Sequence, residues 1–81
     1  MSGIAFVDSN VLIYAHDRDA GSKRELARAL CRRLWSEQAG VLSIQVLQEF
    51  FVTVTRKLKT PIARAQAREV VRAYAPRVIS P

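Results

Sequence analysis

The chain is poor in the residues that most often mark a function. It has one cysteine, one histidine, three glycines and three prolines. A lone thiol, Cys31, excludes an internal disulfide, and one thiol with one imidazole is too few for a cysteine–histidine zinc site. Three scattered glycines make neither a phosphate-binding P-loop nor a dinucleotide fingerprint. A serine–histidine–acid triad would rest on His16 alone, with nothing beside it in support. Apolar runs stay far short of the ~20 residues that span a bilayer, and the N-terminus lacks the charged segment and apolar core of a targeting signal. Cys31 falls inside a helical pattern and reads as a small core residue of a reduced, cytoplasmic protein. Acidic residues are also scarce: seven Asp and Glu face thirteen Lys and Arg, for a net charge of +6. That imbalance favours polyanionic partners, nucleic acid before a membrane surface. Arginine dominates the positive charge, which suits bidentate phosphate contacts.

What is present begins with residues 4–14, IAFVDSNVLIY. Four apolar residues without polar alternation suit a strand buried on both faces, as in a parallel sheet. Asp8 then falls at the carboxyl end of that strand, where open α/β sheets bind ligands. Ser9 and Asn10 are helix-start residues, so a short helix follows from Val11. A helix-capping Asp8 is the alternative reading of the same acid. The segment 16–21 is a polar loop. Its Asp17 and Asp19 are candidate ligands or plain solvated charges, and His16 suits a helix C-terminus.

Ser22–Glu25 has the form of a capping box that starts a long helix. Ala27, Leu30, Cys31, Leu34 and Trp35 keep helical spacing, while Arg24, Arg28 and Arg32 lie four apart on another face. Arg33 and Glu37 can pair across one turn. Gly40 reads as the left-handed cap that ends this helix. Val41–Ile44 forms a second strand, and Ser43 caps a helix over residues 44–58. The β-branched run at 52–55 is unfavourable there, and a strand over 50–55 competes. Glu49 lies at the margin of the apolar stripe near the helix start, so it can reach the same crevice as Asp8. Arg56 and Lys57 supply the basic last turn. Thr60 and Pro61 open a further helix as cap and first residue, with Arg64, Arg68 and Arg72 along one face. Residues 77–80 read as a third strand.

Strands alternating with helices imply an α/β parallel architecture. With other chemistries excluded, carboxylates remain. Asp8 and Glu49 are oxygen ligands suited to Mg²⁺ or Mn²⁺, ions that activate water and stabilise an in-line phosphoryl displacement.

The stretches FVDSNVLIYA and LSIQVLQEFFVTVTRK resemble the PIN-domain family, in particular the VapC-type toxins of bacterial toxin–antitoxin pairs. The resemblance spans nearly the whole chain. It rests on Asp8 in the first motif and on Glu49 after the S-x-Q-V-L-Q run at 43–48 in the second. It implies an Mg²⁺-dependent endoribonuclease with a Rossmann-like sheet. Asp8 and Glu49 would be its first two metal-site acids, and Ser9 the small hydroxyl residue that follows the first acid. A cognate antitoxin would be its partner. The family pattern carries further aspartates after the third strand, whereas the only later acid here is Glu69, within a basic helical face. The expectation is therefore an incomplete PIN domain: a partial three-layer fold, a short parallel sheet with helices on both faces, and C-terminal strands missing.

Three functions stay open. One is a ribonuclease with metal at Asp8 and Glu49 and RNA held by Arg24, Arg28, Arg32, Arg56 and Lys57. The second is a non-catalytic remnant that binds RNA or an antitoxin. The third is a small basic DNA-binding helical module, which the broad apolar helix faces disfavour. The basic stripes also have the plain reading of solvated outer faces. The sequence further predicts adjacent, parallel first and second strands, and Asp8 and Glu49 carboxylates within about 5 Å. It predicts partly uncovered apolar faces at 11–14 and 50–54, which would favour self-association, including a homodimer.

Overall fold

A computed structural model describes residues 3–79. The strand β1 (Ala5–Phe6) leads into helix α1 (Ser9–His16), then α2 (Ser22–Ser36), strand β2 (Gly40–Val41), α3 (Ile44–Val52) and α4 (Arg64–Tyr74). β1 and β2 pair in parallel, Ala5 opposite Gly40 and Phe6 opposite Val41. Their outer bonds run from Ala5 N–H to Ala39 O (2.7 Å) and from Val7 N–H to Val41 O (3.0 Å). On the other side of β2, Leu42 forms a single parallel bridge to Val78. The third strand expected over 77–80 is thus a bridge at Val78 preceded by a 3-10 turn at Ala75–Arg77. Ser80 lies outside the described residues. The architecture is mixed α/β with a short parallel sheet, as expected.

Helix ends differ from the sequence reading, each for a local reason. The capping box at Ser22 does not form, because Gly21 at φ 63° turns the chain so that Ser22 is already helical. Backbone bonds from Lys23 N–H to Ala20 O and from Arg24 N–H to Gly21 O serve the first turn instead. The left-handed residue at the end of α2 is Gln38 (φ 54°), and Gly40 lies in β2. Ala39 N–H donates to Leu34 O and Gln38 N–H to Trp35 O, a Schellman closure with Leu34 and Ala39 both buried. Glycine is needed at 40 for space: an added Cβ would lie 2.8 Å from Trp35 Cε3 and 3.1 Å from Leu34 Cβ. α4 starts at Arg64, three residues beyond Pro61, so Thr60 is not its cap. Thr60 Oγ1 donates to Asp19 Oδ2 and Ile62 N–H to Val54 O, both at 2.8 Å, which hold this approach out of the helix.

Other expectations hold. Ser43 caps α3, its Oγ accepting from Val46 N–H at 3.1 Å. The β-branched run stays helical but widens into a π turn, Thr53–Lys57, closed by Leu58 N–H to Thr53 O. Thr55 Oγ1 donates to Phe51 O at 2.7 Å, a competing bond that bends such helices.

One core forms from Val7, Leu12, Cys31, Leu34, Leu42, Leu47, Phe50, Val54 and Ala67. Leu12, Leu42, Phe50 and Val54 are fully buried, each contributing about 1.5–3 kcal/mol of transfer free energy. The faces at 11–14 and 50–54 are therefore largely packed; only Val52 among them is exposed. The open surface lies elsewhere. Ile4 and Phe6 are each 74% exposed, so β1 is covered on one face only, and the expected helices on both faces are not found there.

Two substitutions test these closures by urea unfolding. Gly40→Ala should destabilise by about 1–3 kcal/mol through collision with Trp35. Gln38→Gly should stabilise by about 0.5–1 kcal/mol by relieving the left-handed backbone.

Candidate functional site

β1 and β2 run in the same direction, so α1 and α3 both start at the carboxyl end of the sheet. Asp8 occupies the residue before α1 in extended conformation, but its side chain makes no capping bond. The helix-cap reading of this acid is therefore not what the structure has, and the carboxylate is exposed. Glu49 lies in the second turn of α3, also exposed. Between them sits Ser9, buried at 7% exposure. Its Oγ is 3.2 Å from Glu49 Oε2 and 3.5 Å from Asp8 Oδ1. A hydroxyl has one proton, and the shorter contact marks Glu49 as the stronger acceptor. The two carboxylate oxygens can be no further apart than those distances laid end to end, under about 7 Å, whereas two direct ligands of one Mg²⁺ must lie within about 4 Å of each other.

The donor set fits Mg²⁺ or Mn²⁺. Such ions are commonly held by one or two carboxylates, with water in the remaining positions. Among the described residues no group of three or more Asp, Glu, His or Cys side chains comes together. The sequence pairs Asp8 with Glu49 and marks Ser9 as a helix-start residue and, by resemblance, as the small hydroxyl residue after the first acid, but not as a bridge to Glu49. Its burial between two acids depends on the packing of α1 against α3, which no local pattern encodes.

The basic residues separate into two groups. Arg32, Arg56 and Lys57 are exposed. Arg24 and Arg28 are half-buried, and Arg28 Nε donates to Ala15 O at 2.8 Å at the end of α1. Arg64, Arg68 and Arg72 are exposed on α4, with Arg72 paired to Glu69 at 2.7 Å. The expected Arg33–Glu37 pair is present but long, at 4.0 Å.

His16 ends α1, as its position suggested. Its Nε2 lies 2.8 Å from the Tyr74 hydroxyl, and its ring meets Phe50 edge-on at 5.3 Å. Burial holds its pKa below the ordinary 6.5, and the Arg28 and Arg24 guanidiniums add to that. Burial pushes the Tyr74 phenol up to about 12. Cys31 is buried, and burial likewise raises its thiol.

No family model, no curated protein and no solved structure matches this chain.

The His16 shift carries a pH prediction. The unfolded state binds a proton at 6.5, whereas the folded state binds it only at lower pH. Stability from this group is therefore complete above pH 6.5 and is lost as pH falls through the folded value. The His16 ring resonance should titrate with a midpoint below 6.5; a midpoint at or above 6.5 would contradict the burial argument.

Proposed function

We propose that this protein is a metal-dependent endoribonuclease of the PIN-domain, VapC-toxin type, acting in the cytoplasm on RNA phosphodiesters. The observation that supports it is the pair of carboxylates 41 positions apart in sequence that share one buried hydroxyl at the carboxyl end of a parallel sheet. The sequence motifs around Asp8 and Glu49 point the same way. The net charge of +6 supports a polyanionic substrate.

Asp8 and Glu49 would hold Mg²⁺ or Mn²⁺, and Ser9, whose single proton goes to the nearer Glu49 oxygen, would orient that acid from behind. The bound ion would supply an activated water and charge neutralisation at the phosphoryl group. The chain's own groups do the rest. The exposed acids present oxygen ligands toward solvent, where a phosphodiester can approach. Arg24, Arg28, Arg32, Arg56 and Lys57 would attract the RNA backbone independently of its sequence. A cognate antitoxin and a homodimer belong to the same reading. Among the described residues no helix is long and apolar enough to cross a membrane.

The test is cleavage of RNA with Mg²⁺ or Mn²⁺, with and without EDTA. Activity should require the ion. Asp8→Asn should lower it by more than the ~10–100-fold typical of losing a partner that only orients a ligand, whereas Ser9→Ala should fall within that range. EDTA-insensitive cutting, or cutting that survives Asp8→Asn, would overturn the mechanism. RNA binding that weakens steeply with salt but yields no cleavage under any ion would favour the binding-only alternative.

A further inference from the structure

We propose that the cavity between the end of α1, the first turns of α2 and the start of α4 is a phosphate-binding pocket. It lies roughly 12 Å along α1 from Asp8, taking 1.5 Å per residue over eight residues. The proposal stands without the nuclease reading, because neither a metal nor cleavage enters it.

The cavity is about 150 Å³, and its walls include His16, Arg18, Arg24, Arg28, Thr60 and Gln66. That is well below the ~300–1,000 Å³ of pockets for drug-sized ligands, so a compact tetrahedral oxyanion suits it better than a nucleobase. Three arginines line it, and among the described residues none of them forms an ion pair. Arg24 Nε is shielded from water and has no hydrogen-bond partner among the described residues. An anion in the cavity would therefore meet the terminal nitrogens of Arg24 rather than this shielded one. Arg28 commits Nε to Ala15 O, which leaves its terminal nitrogens as donors.

The fourth contribution comes from the backbone. α4 runs eleven residues, and Ala63 at its start has no side chain able to cap it. Its first N–H groups therefore lack helical acceptors, and this end of the helix favours negative charge. Ala63 and Gln66 of this first turn line the cavity. Thr60 already donates its proton to Asp19, so the donors offered are guanidiniums and amides. Phosphate is the anion that several planar guanidiniums match best, through paired N–H bonds.

The single histidine makes a specific probe. Its ring resonance can be followed in metal-free protein with EDTA while inorganic phosphate is added. A saturable shift is expected, with a dissociation constant on the order of 1 mM or tighter. Arg24→Gln and Arg18→Gln should each weaken binding about tenfold; Arg18→Gln should leave the His16 resonance at its native position, whereas Arg24→Gln should raise the His16 midpoint by removing a neighbouring positive charge. Arg18 is exposed, so its replacement tests the pocket even if the half-buried Arg24 proves necessary for folding. A short 5′-phosphorylated oligoribonucleotide and its 5′-hydroxyl twin separate the sources. Preference for the phosphorylated strand, in competition with inorganic phosphate, assigns the pocket to a strand terminus. Equal weak binding of both, without competition, assigns it to free phosphate. The absence of a saturable phosphate shift, or a shift unchanged in both variants, would overturn the proposal. EDTA-treated protein that binds phosphate yet never cuts RNA with added metal would retain this pocket and sink the nuclease reading alone.

Discussion

The parallel pairing of residues 5–7 with 39–41 is the constraint on which the rest of the molecule depends. Two antiparallel strands would send their following segments to opposite ends of the sheet. Parallel strands send both to one end, and here both enter helices at once. The first of those helices is preceded by Asp8 and opens with Ser9; the second brings Glu49 round in its second turn. The carboxylate pair is thus a consequence of strand direction, and Ser9 is buried because the helices that follow the strands pack on one another. A slip of one residue in the pairing would invert which side chains face the core and separate the pair.

Helix α1 then divides the charge of the molecule. Its N-terminal end has a partial positive charge and its C-terminal end a partial negative one. Asp8 stands at the first, while Arg28 donates to a terminal carbonyl at the second. Both placements are favourable to the helix, so neither needs a functional explanation alone. Like charge also gathers at each end. Glu49 is brought beside Asp8, where two like charges repel, and Arg18 and Arg24 join Arg28 without carboxylate partners among the described residues. Repulsion at both ends of one short helix is a cost that a bound cation and a bound anion would each offset.

Much of this was legible in the sequence where the signal was local. The apolar run into Asp8, the Ser43 cap and the helical spacing of Leu47, Phe50, Val54 and Leu58 all correspond to observed features. Closures set by tertiary contact were not legible. Gly40 looked like a helix terminator, but its role is to make room for the Trp35 ring, which belongs to the preceding helix. Thr60–Pro61 has the chemistry of a helix start, yet Thr60 is drawn to Asp19, which is 41 positions earlier. The cationic cavity was visible only as the Arg24/Arg28 spacing, since Arg18 and Thr60 come from separate loops. The apolar composition of residues 4–7 predicts a strand buried on both faces; composition reports affinity for a partner surface, and on the Ile4–Phe6 side none is supplied by the described residues.

The aromatic cluster links the two polarised ends. Phe50 is fully buried and meets the rings of both His16 and Tyr74 edge-on, at 5.3 and 6.0 Å, while Tyr74 also packs on Trp35 at 5.9 Å. Successive helical residues differ by about 100° in direction. With Phe50 locked inward, Glu49 must fall at the edge of the packed face, where it can reach both Ser9 and solvent. The same ring fixes His16, and with it the wall of the cationic cavity at the opposite end of α1. One buried phenylalanine therefore sets the rotation of α3 and the position of the α1 terminus. Loss of its bulk would loosen the acid pair and the guanidinium cluster together, although it touches no ligand of either.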